Sequence, residues 1–421
     1  MNTPLAWKNL THNKLRTSIG VAGVGFAVIL IFMQLGFLGA IKKTATQIYD
    51  ALDFDLMLRS PAYLHLTEPR AFSRVRVHQA ASLAEVSHAR PFYLGLSEWQ
   101  APITGNAPLS METTDTESPA GQWRSIITMG TDPSDPGFSR EDICQFARQL
   151  SDPRFVLVDS ESKPEYGPVQ GDEFSSADIG VETALGPERV RIVGLFKLGT
   201  GMASNGACLT NPEGYIRACP WQTIDEINFG LLKLHDPDQA ETVKAKLKEI
   251  YGIPSLGSNV ELQQQQRAAV LTNADVEILT RAEVNQHEEH RWVVDTPLGQ
   301  IFQLGVWVAV FVGIAIVYQV LSSDIANMMG EYATLKAMGY SNKYLTVVVL
   351  QQSVLLALVG YLPSMVVSWL LYQVVEAQSG MPMFMTKEIM ITVLLLAIVM
   401  CVVSGLGALR KLFQADPADL F

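Results

Sequence analysis

Four long stretches without a charged residue limit the folds open to this sequence. They span 17–41, 296–323, 344–375 and 389–409, and charged residues lie at the borders of each. About 20 mostly apolar residues in helical form cross the ~30 Å hydrocarbon core of a bilayer. One such stretch is also compatible with a buried core helix, but four together are typical of a membrane protein. We therefore predict four transmembrane helices, with the second placed at 298–322.

The first stretch has an alternative interpretation as a secretory signal peptide, because Lys8, Lys14 and Arg16 precede it. Signal peptides have an apolar region of roughly 7–15 residues, followed by a cleavage site with small residues. The uncharged run at 17–41 is longer than this, and no clear cleavage site follows it. We predict an uncleaved membrane anchor.

The basic residues predict the orientation. The short segments 1–16, 323–343 and 410–421 together contain seven Lys and Arg, whereas the loop 376–388 contains only Lys387. Short loops rich in Lys and Arg stay on the cytoplasmic side of the membrane. Both termini are therefore predicted to be cytoplasmic, and the region between the first two helices is predicted to lie on the opposite side.

That region, 42–297, reads as a soluble domain. It contains 23 Lys and Arg against 36 Asp and Glu, and no basic tract, which argues against nucleic-acid binding. Short segments rich in β-formers alternate with helical patterns, so we predict an α+β fold with room for two lobes. The predicted strands are 55–59, 92–99, 124–129, 190–198 and 227–235, and the predicted helices are 71–88, 239–251 and 260–294. The last helix is polar and leads into the second membrane helix, which suggests a stalk.

Three cysteines, Cys144, Cys208 and Cys219, fall in this domain. An oxidising compartment permits disulfides, and Cys208 with Cys219 is the closest pair in sequence. Three buried free thiols are the alternative. Spacing alone does not decide between the two hypotheses.

No catalytic, metal-binding or cofactor-binding set is predicted, so the chain is not expected to be an enzyme. The run 287–290, His-Glu-Glu-His, lacks the i, i+4 histidine spacing of zinc proteases and is interpreted as the solvated face of a polar helix. Gly199, Gly201 and Gly206 do not have the spacing of a phosphate-binding loop. The four uncharged stretches contain no charged residue of the kind that relays protons or ions within a membrane. If the protein moves anything, its energy must therefore come from a partner.

The segment 323–343 is the candidate contact for that partner. Its apolar residues recur at helical spacing along one face: Ile325, Met328, Met329, Tyr332, Leu335 and Met338. Gly339 suits the position after a helix, and Ser341 suits the cap of the next one. Two interpretations explain this pattern equally well. The segment is either a helix at the membrane surface that only shapes a turn, or a helix to which an ATPase docks.

A family resemblance favours the second interpretation. The runs 318–324 (YQVLSSD) and 331–340 (EYATLKAMGY) closely resemble the MacB/FtsX-type ABC permeases, and most of all their DevC branch. The ending 408–421 and the opening 5–16 also resemble that family. The run 193–206 resembles it more loosely. The resemblance therefore covers the whole chain.

The resemblance implies a homodimeric permease in the bacterial inner membrane, with a periplasmic large domain and two separate ABC ATPase subunits docked beneath it. It also implies a periplasmic membrane-fusion adaptor, an outer-membrane channel reached indirectly, and export of a lipid, glycolipid or other envelope substrate. The alternative is an FtsX-like signalling permease that activates a cell-wall hydrolase without transport. The family tends to carry an acidic residue near Gln351 and Gln352, where this chain has two glutamines.

The resemblance assigns ATPase coupling to one group of residues. They are Asp324, Met328, Glu331, Tyr332, Ala333, Thr334, Leu335, Lys336, Ala337, Met338, Gly339 and Tyr340.

Overall fold

The computed structural model describes residues 14–102, 121–199, 204–253, 275–327, 330, 334, 338, 339, 341–379 and 381–414. The chain divides into two compact units, one made of 1–43 with 291–421 and the other of 44–290. The second unit is called the large domain below.

The helices of the described residues are, in chain order, α1 (Lys14–Ala51), α2 (Val75–Ala81), α3 (Glu141–Ala147), α4 (Pro212–Ala218), α5 (Ala240–Ile250), α6 (Arg281–His290), α7 (Pro297–Asn327), α8 (Asn342–Ser379) and α9 (Lys387–Gln414). The strands are β1 (Leu56–Arg59), β2 (Phe72–Ser73), β3 (Val86–Gln100), β4 (Trp123–Gly130), β5 (Phe155–Asp159), β6 (Glu182–Leu185), β7 (Glu188–Phe196), β8 (Ala207–Thr210), β9 (Glu226–Ile227), β10 (Phe229–Leu234) and β11 (Glu277–Thr280).

Four of these helices are long and apolar enough to cross a membrane. The qualifying stretches are Thr17–Ala51, Pro297–Asn327, Thr346–Gln378 and Lys387–Leu409. The predicted fold class, four membrane helices with a large α+β domain between the first and the second, is confirmed. Helix α1 continues past the predicted end of its span at Ile41 as far as Ala51.

Small residues let the four long helices pack closely. A Cβ atom at Gly25 would meet Ser364, and one at Gly313 would meet Met400, so neither position has room for a side chain. Ser404 Oγ donates to the Ile314 carbonyl across two helices (2.9 Å). Close approach through small residues and interhelical hydrogen bonds is the usual way in which helices associate in a bilayer.

The large domain is built on a nine-stranded sheet with the order β11-β1-β10-β3-β4-β8-β5-β7-β6. The first half of β3 pairs with β10 and the second half pairs with β4, with Phe92 opposite Phe229 and Tyr93 opposite Gly130. One strand thus joins two groups of strands, in keeping with the expectation of two lobes. Strands β2 and β9 form a separate ribbon.

The sheet of the large domain separates two hydrophobic cores. Side chains of a strand alternate between its two faces, so Leu56 and Leu58 belong to one core and Met57 to the other. The first core contains residues of α2, α4 and α5. The second contains residues of α3, of α6 and of the last part of α1, among them Ile48 and Tyr49. The end of the first membrane helix is therefore part of the core of the large domain.

The predicted strands are confirmed, and the helix predicted at 239–251 is α5. The predicted helix at 71–88 is too long, because only 75–81 is helical and Val86 begins β3. The predicted continuous stalk helix at 260–294 is wrong. Residues 277–280 form β11, which pairs with β1, and the helix begins only at Arg281, whereas 254–274 lie outside the described residues.

Of the two hypotheses for Cys208 and Cys219, the structure has the second, because both are free thiols. Cys208 Sγ lies 3.4 Å from the Thr128 hydroxyl oxygen, and Cys219 Sγ is directed at the Leu96 carbonyl at 4.0 Å. Burial raises the pKa of each thiol to about 12. Each sulfur is thus a buried thiol with its own polar neighbour.

Candidate functional site

The C-terminal end of α1 is capped by a side chain from a distant part of the chain. A helix leaves its last four carbonyls without partners inside the helix. Arg281 donates from Nη1 to the Tyr49 carbonyl (3.2 Å), from Nη2 to Leu52 (2.5 Å) and from Nε to Phe54 (3.0 Å). One guanidinium, with its five donors in a fixed plane, therefore holds three carbonyls at the point where α1 ends.

Local sequence explains why Arg281 lies there. Thr280 caps α6: its hydroxyl accepts from the Glu283 amide (3.3 Å), and the Glu283 carboxylate accepts from the Thr280 amide (2.8 Å). This reciprocal pair is a capping box. It starts α6 directly after β11, and Arg281 is the first residue of that helix. The guanidinium carbon lies 4.2 Å from the centre of the Phe54 ring, which adds a cation–π contact.

Two further segments of the large domain contact the end of α1. Gln47 Nε2 donates to the Leu198 carbonyl, which follows β7 (2.8 Å). The Ser139 amide, just before α3, donates to the Ala51 carbonyl (2.8 Å). Together with Arg281, these bonds connect the last turns of α1 to strands and helices in both halves of the sheet.

A buried carboxylate holds the Leu198 turn in place. The amides of Leu198 and Gly199 donate to Asp159 at 3.0 and 2.7 Å, and Gly199 has φ of +70°, a conformation that favours glycine. Burial raises the pKa of Asp159, while these amide donors act in the opposite direction. Gly199 thus lies in a tight turn after β7, whereas Gly201 lies outside the described residues.

A second polar cluster, the Arg59 cluster, consists of Arg59, Tyr63, Glu277, His287 and Glu288. Arg59 Nε donates to Glu277 (3.0 Å), Nη2 donates to His287 Nδ1 (3.2 Å) and Nη1 lies 3.7 Å from Glu288. The guanidinium also lies 4.4 Å from the centre of the Tyr63 ring. The side chains of Arg59 and Glu288 are only 7% and 1% exposed, so this is a buried ion-pair network.

Two tyrosines connect the Arg59 cluster to α1. The hydroxyl oxygens of Tyr49 and Tyr63 are 2.7 Å apart. Burial, and then the nearby Glu288 carboxylate, raise the pKa of Tyr63 well above 10, so its hydroxyl stays protonated and able to donate. The end of α1, β1, β11 and α6 are thereby joined in one set of polar contacts, called the α1 clamp below, which comprises Arg281 and the Arg59 cluster.

Sequence reasoning missed the α1 clamp. It interpreted 287–290 as a solvated helix face, which is wrong for Glu288, a buried partner of Arg59. Among the described residues, no group of three or more His, Cys, Asp and Glu could hold a metal ion. Two features of the sequence point to the α1 clamp. One is the Thr280-x-x-Glu283 pattern of a capping box, and the other is the arginine at the end of the apolar strand Leu56–Arg59. A charge in a buried strand requires a partner.

The predicted coupling residues lie between α7 and α8, and the structure describes four of them. Asp324 is in the last turn of α7, and Met338 is 63% exposed. The Thr334 hydroxyl donates to the Gly330 carbonyl (2.8 Å), and the Met338 amide donates to the Thr334 carbonyl (3.0 Å), as in a helical turn. The other coupling residues, Met328, Glu331, Tyr332, Ala333, Leu335, Lys336, Ala337 and Tyr340, lie outside the described residues.

The predicted C-terminal end of this segment is confirmed. Gly339 has φ of +90°, as expected for a residue that terminates a helix. Ser341 caps α8, since its hydroxyl accepts from the Tyr344 amide (3.4 Å).

Because of the ion pair between Lys244 and Glu283, we expect the stability of the large domain to depend on pH. Burial alone would raise the pKa of Glu283, but bonds from Lys244 and Thr280 lower it below its usual value. A carboxylate whose pKa is lowered in the folded state stabilises the fold above its unfolded pKa of about 4.3, and this contribution is lost as the pH falls through the folded value. We expect Glu283→Gln to destabilise the large domain at pH 6 and to have much less effect at pH 3. Urea unfolding of the full chain, followed by tryptophan fluorescence, measures both values.

The control for this prediction is Glu213→Gln, which removes an exposed pair with Arg217. Exposed pairs contribute little to stability, so this variant should follow the wild type at both pH values. A Glu283→Gln variant with the same loss of stability at pH 6 and pH 3 would contradict the prediction.

The fold and the α1 clamp define a class of protein: a multi-pass membrane protein whose large α+β domain is inserted between its first two membrane helices and encloses the end of the first. Residues 304–417 match the family model described as FtsX-like permease C-terminal. In this region the chain is similar to the C-terminal part of FtsX-like permeases.

The large domain was also compared with solved structures. The chain is similar to the periplasmic region of MacB from Actinobacillus actinomycetemcomitans, with 8% identity and a TM-score of 0.34 over 57% of this chain and 95% of that one. It is also similar to the extracellular domain of the noncanonic ABC-type transporter YknZ from Gram-positive bacteria, with 10% identity and a TM-score of 0.30 over 48% of this chain and 95% of that one. A comparison with curated proteins gave no significant match.

Proposed function

We propose that this protein is the permease subunit of a DevC-like ABC export system in a bacterial inner membrane. In this proposal it is a homodimer, a separate cytoplasmic ATPase drives it, and a periplasmic membrane-fusion adaptor receives its motion. The exported substrate is a lipid, glycolipid or other envelope molecule. Both termini and the connector between α7 and α8 are cytoplasmic, as the distribution of Lys and Arg predicts, and the large domain is periplasmic.

The observation that carries this proposal is the continuity of α1 into the core of the large domain. This helix has 38 residues, which corresponds to about 57 Å at 1.5 Å per residue. A bilayer core takes up only ~30 Å of such a length. The remainder ends in the α1 clamp, without a flexible linker between the membrane helix and the domain. Motion of the membrane helix would therefore pass directly into the sheet.

A separate ATPase is the proposed source of energy. The uncharged stretches contain no charged residue for a proton or ion relay, and the similarity to FtsX-like permeases supports an ATPase partner. The connector between α7 and α8 is the proposed docking site for that ATPase. Its Thr334 and Met338 are exposed, and Gly339 and the Ser341 cap lie at its C-terminal end.

The first test is affinity purification of the tagged full chain from gently solubilised membranes, with mass spectrometry of the bound proteins. An ABC ATPase together with a membrane-fusion adaptor supports the proposal. An ATPase together with a cell-wall hydrolase replaces export with transenvelope signalling. Absence of any ATPase in repeated mild detergents contradicts the proposal.

Leu335→Asp is expected to uncouple ATP hydrolysis from export while leaving membrane insertion intact. The apolar pattern of the connector places Leu335 on its docking face, where losing a leucine and burying a charge costs several kcal/mol, on the order of a 100-fold loss of coupled activity. ATP hydrolysis by the purified complex, with and without the adaptor, measures the effect. Leu335→Met, which keeps an apolar side chain, is the control and should remain coupled. Normal coupled activity of the aspartate variant would exclude this docking face.

A further inference from the structure

The backbone hydrogen-bond pattern is interrupted just before α7. Residues Arg291–Asp295 form a π turn, in which the Thr296 amide donates to the Arg291 carbonyl five residues earlier (3.1 Å). Pro297 follows and has no amide hydrogen to donate to the Val293 carbonyl. A regular helix therefore cannot run through this segment.

Side chains replace the missing backbone donors at three consecutive carbonyls. The bonds are from Thr296 Oγ1 to Trp292 (2.6 Å), from Gln303 Nε2 to Val293 (3.2 Å) and from Gln300 Nε2 to Val294 (2.9 Å). Gln303 thus bonds the carbonyl that Pro297 leaves without its usual donor.

The residues next to this interruption of the hydrogen-bond pattern are suited to it. Thr296 caps α7, since its hydroxyl also accepts from the Gly299 amide (3.4 Å), and Pro297 occupies the first helical position, where its fixed φ suits the start of a helix. A Cβ atom at Gly299 would collide with the backbone carbonyls of Trp292 and Val293. Only glycine allows the two stretches of backbone to approach so closely.

This arrangement makes bending easier here than in the neighbouring helices. Bending a regular helix stretches bonds between backbone groups, whereas here the long amide side chains can follow their carbonyls or release them. Sharp helix bends occur at prolines and π-bulges, and π-bulges are frequent at functional sites.

We propose that residues 291–303 are a hinge in the chain that leads from the α1 clamp into α7, and that Gln300 and Gln303 are positioning residues that hold its resting geometry. The hinge itself stands on the geometry above. Its use in ATP-driven motion rests on the proposed function.

Hydrogen–deuterium exchange of the purified full chain in lipid nanodiscs tests the hinge. Pro297→Ala restores a backbone donor for the Val293 carbonyl, and amide exchange over 292–300 is expected to slow by roughly tenfold, the effect of about one added hydrogen bond. Gln303→Leu removes a side-chain donor and should speed exchange in the same peptides by a similar factor. Gln319→Leu, the same change further along α7, is the matched control and should leave them unchanged. Wild-type exchange in both hinge variants would overturn the proposal.

The role of the hinge in transmission needs a second measurement on the complex with its co-purified ATPase. Pro297→Ala is expected to lower adaptor-dependent ATP hydrolysis at least fivefold while the ATPase remains bound. Slowed exchange with unchanged hydrolysis would overturn the role in transmission. Failure to recover any ATPase with the wild type would instead contradict the proposed function, so the two failures are distinguishable.

Discussion

Replacing Arg59 by methionine is expected to lower the free energy of unfolding of the large domain by about 3–5 kcal/mol. Methionine keeps most of the side-chain volume but removes the charge. The loss leaves Glu288, only 1% exposed, and Glu277, 14% exposed, without their cationic partner. A buried carboxylate that has lost its cationic partner lowers the free energy of unfolding by far more than the intact ion pair raises it. Urea unfolding of the full chain in detergent, followed by tryptophan fluorescence, measures the change.

Two variants separate this effect from a general loss of charge. Arg191→Met is the matched control, because Arg191 also lies on a strand of the large domain and pairs with Glu182, but the two side chains are 53% and 58% exposed. It should change stability by about 1 kcal/mol at most. Adding Glu288→Gln to Arg59→Met removes one of the stranded charges and should recover part of the loss. Equal effects of Arg59→Met and Arg191→Met would show that the Arg59 cluster is not buried as described.

Arg281→Met is expected to have the second-largest effect, a loss of about 2–4 kcal/mol. The variant keeps the aliphatic contacts but leaves three carbonyls at the end of α1 without the donor that caps them. A hydrogen bond from a charged donor contributes about 1.5–3 kcal/mol, and water can rescue part of the loss where the carbonyls become accessible. The expected signature is local, namely faster amide exchange in the peptides that cover 46–54.

The control for Arg281 is Arg154→Met, which removes an arginine that is 65% exposed and paired with Asp152. This variant should change neither the stability nor the exchange of the α1 peptides. If the proposed function holds, Arg281→Met should also reduce adaptor-dependent ATP hydrolysis, because α1 would no longer be fixed to the domain that it is proposed to move. Unchanged exchange at 46–54 would show that Arg281 does not hold the end of α1.

The membrane helices were predictable because uncharged stretches of the required length have few alternatives. The extension of α1 was not predictable, since Lys42, Lys43 and the polar residues that follow give no apolar signal. Contacts from Arg281 and Gln47, which come from folding of the whole domain, stabilise that part of the helix. Tertiary contacts of this kind regularly override local helix propensity.

Strand β11 was also not predictable from local sequence. Its four residues lie between polar segments of helical character, and the strand is stabilised by pairing with β1, far away in the sequence. The Arg59 cluster was hidden for a similar reason: its members are spread from Arg59 to Glu288, and nothing local shows that they meet. By contrast, the C-terminal end of the connector depends on Gly339 and Ser341, so local sequence was sufficient to predict it.

The position of β1 in the sheet sets an order for biosynthesis. This strand is synthesised well before both of its partners, since Leu56 pairs with Leu232 and with Thr280. At about 5–20 residues per second, the second partner follows some 10–45 s after the first strand. During that interval the nascent chain is already inserted through its first helix, with both edges of β1 open to wrong pairings. Translation of the last strand therefore closes the domain, and chains truncated before Glu277 should be recognised as unfolded and degraded.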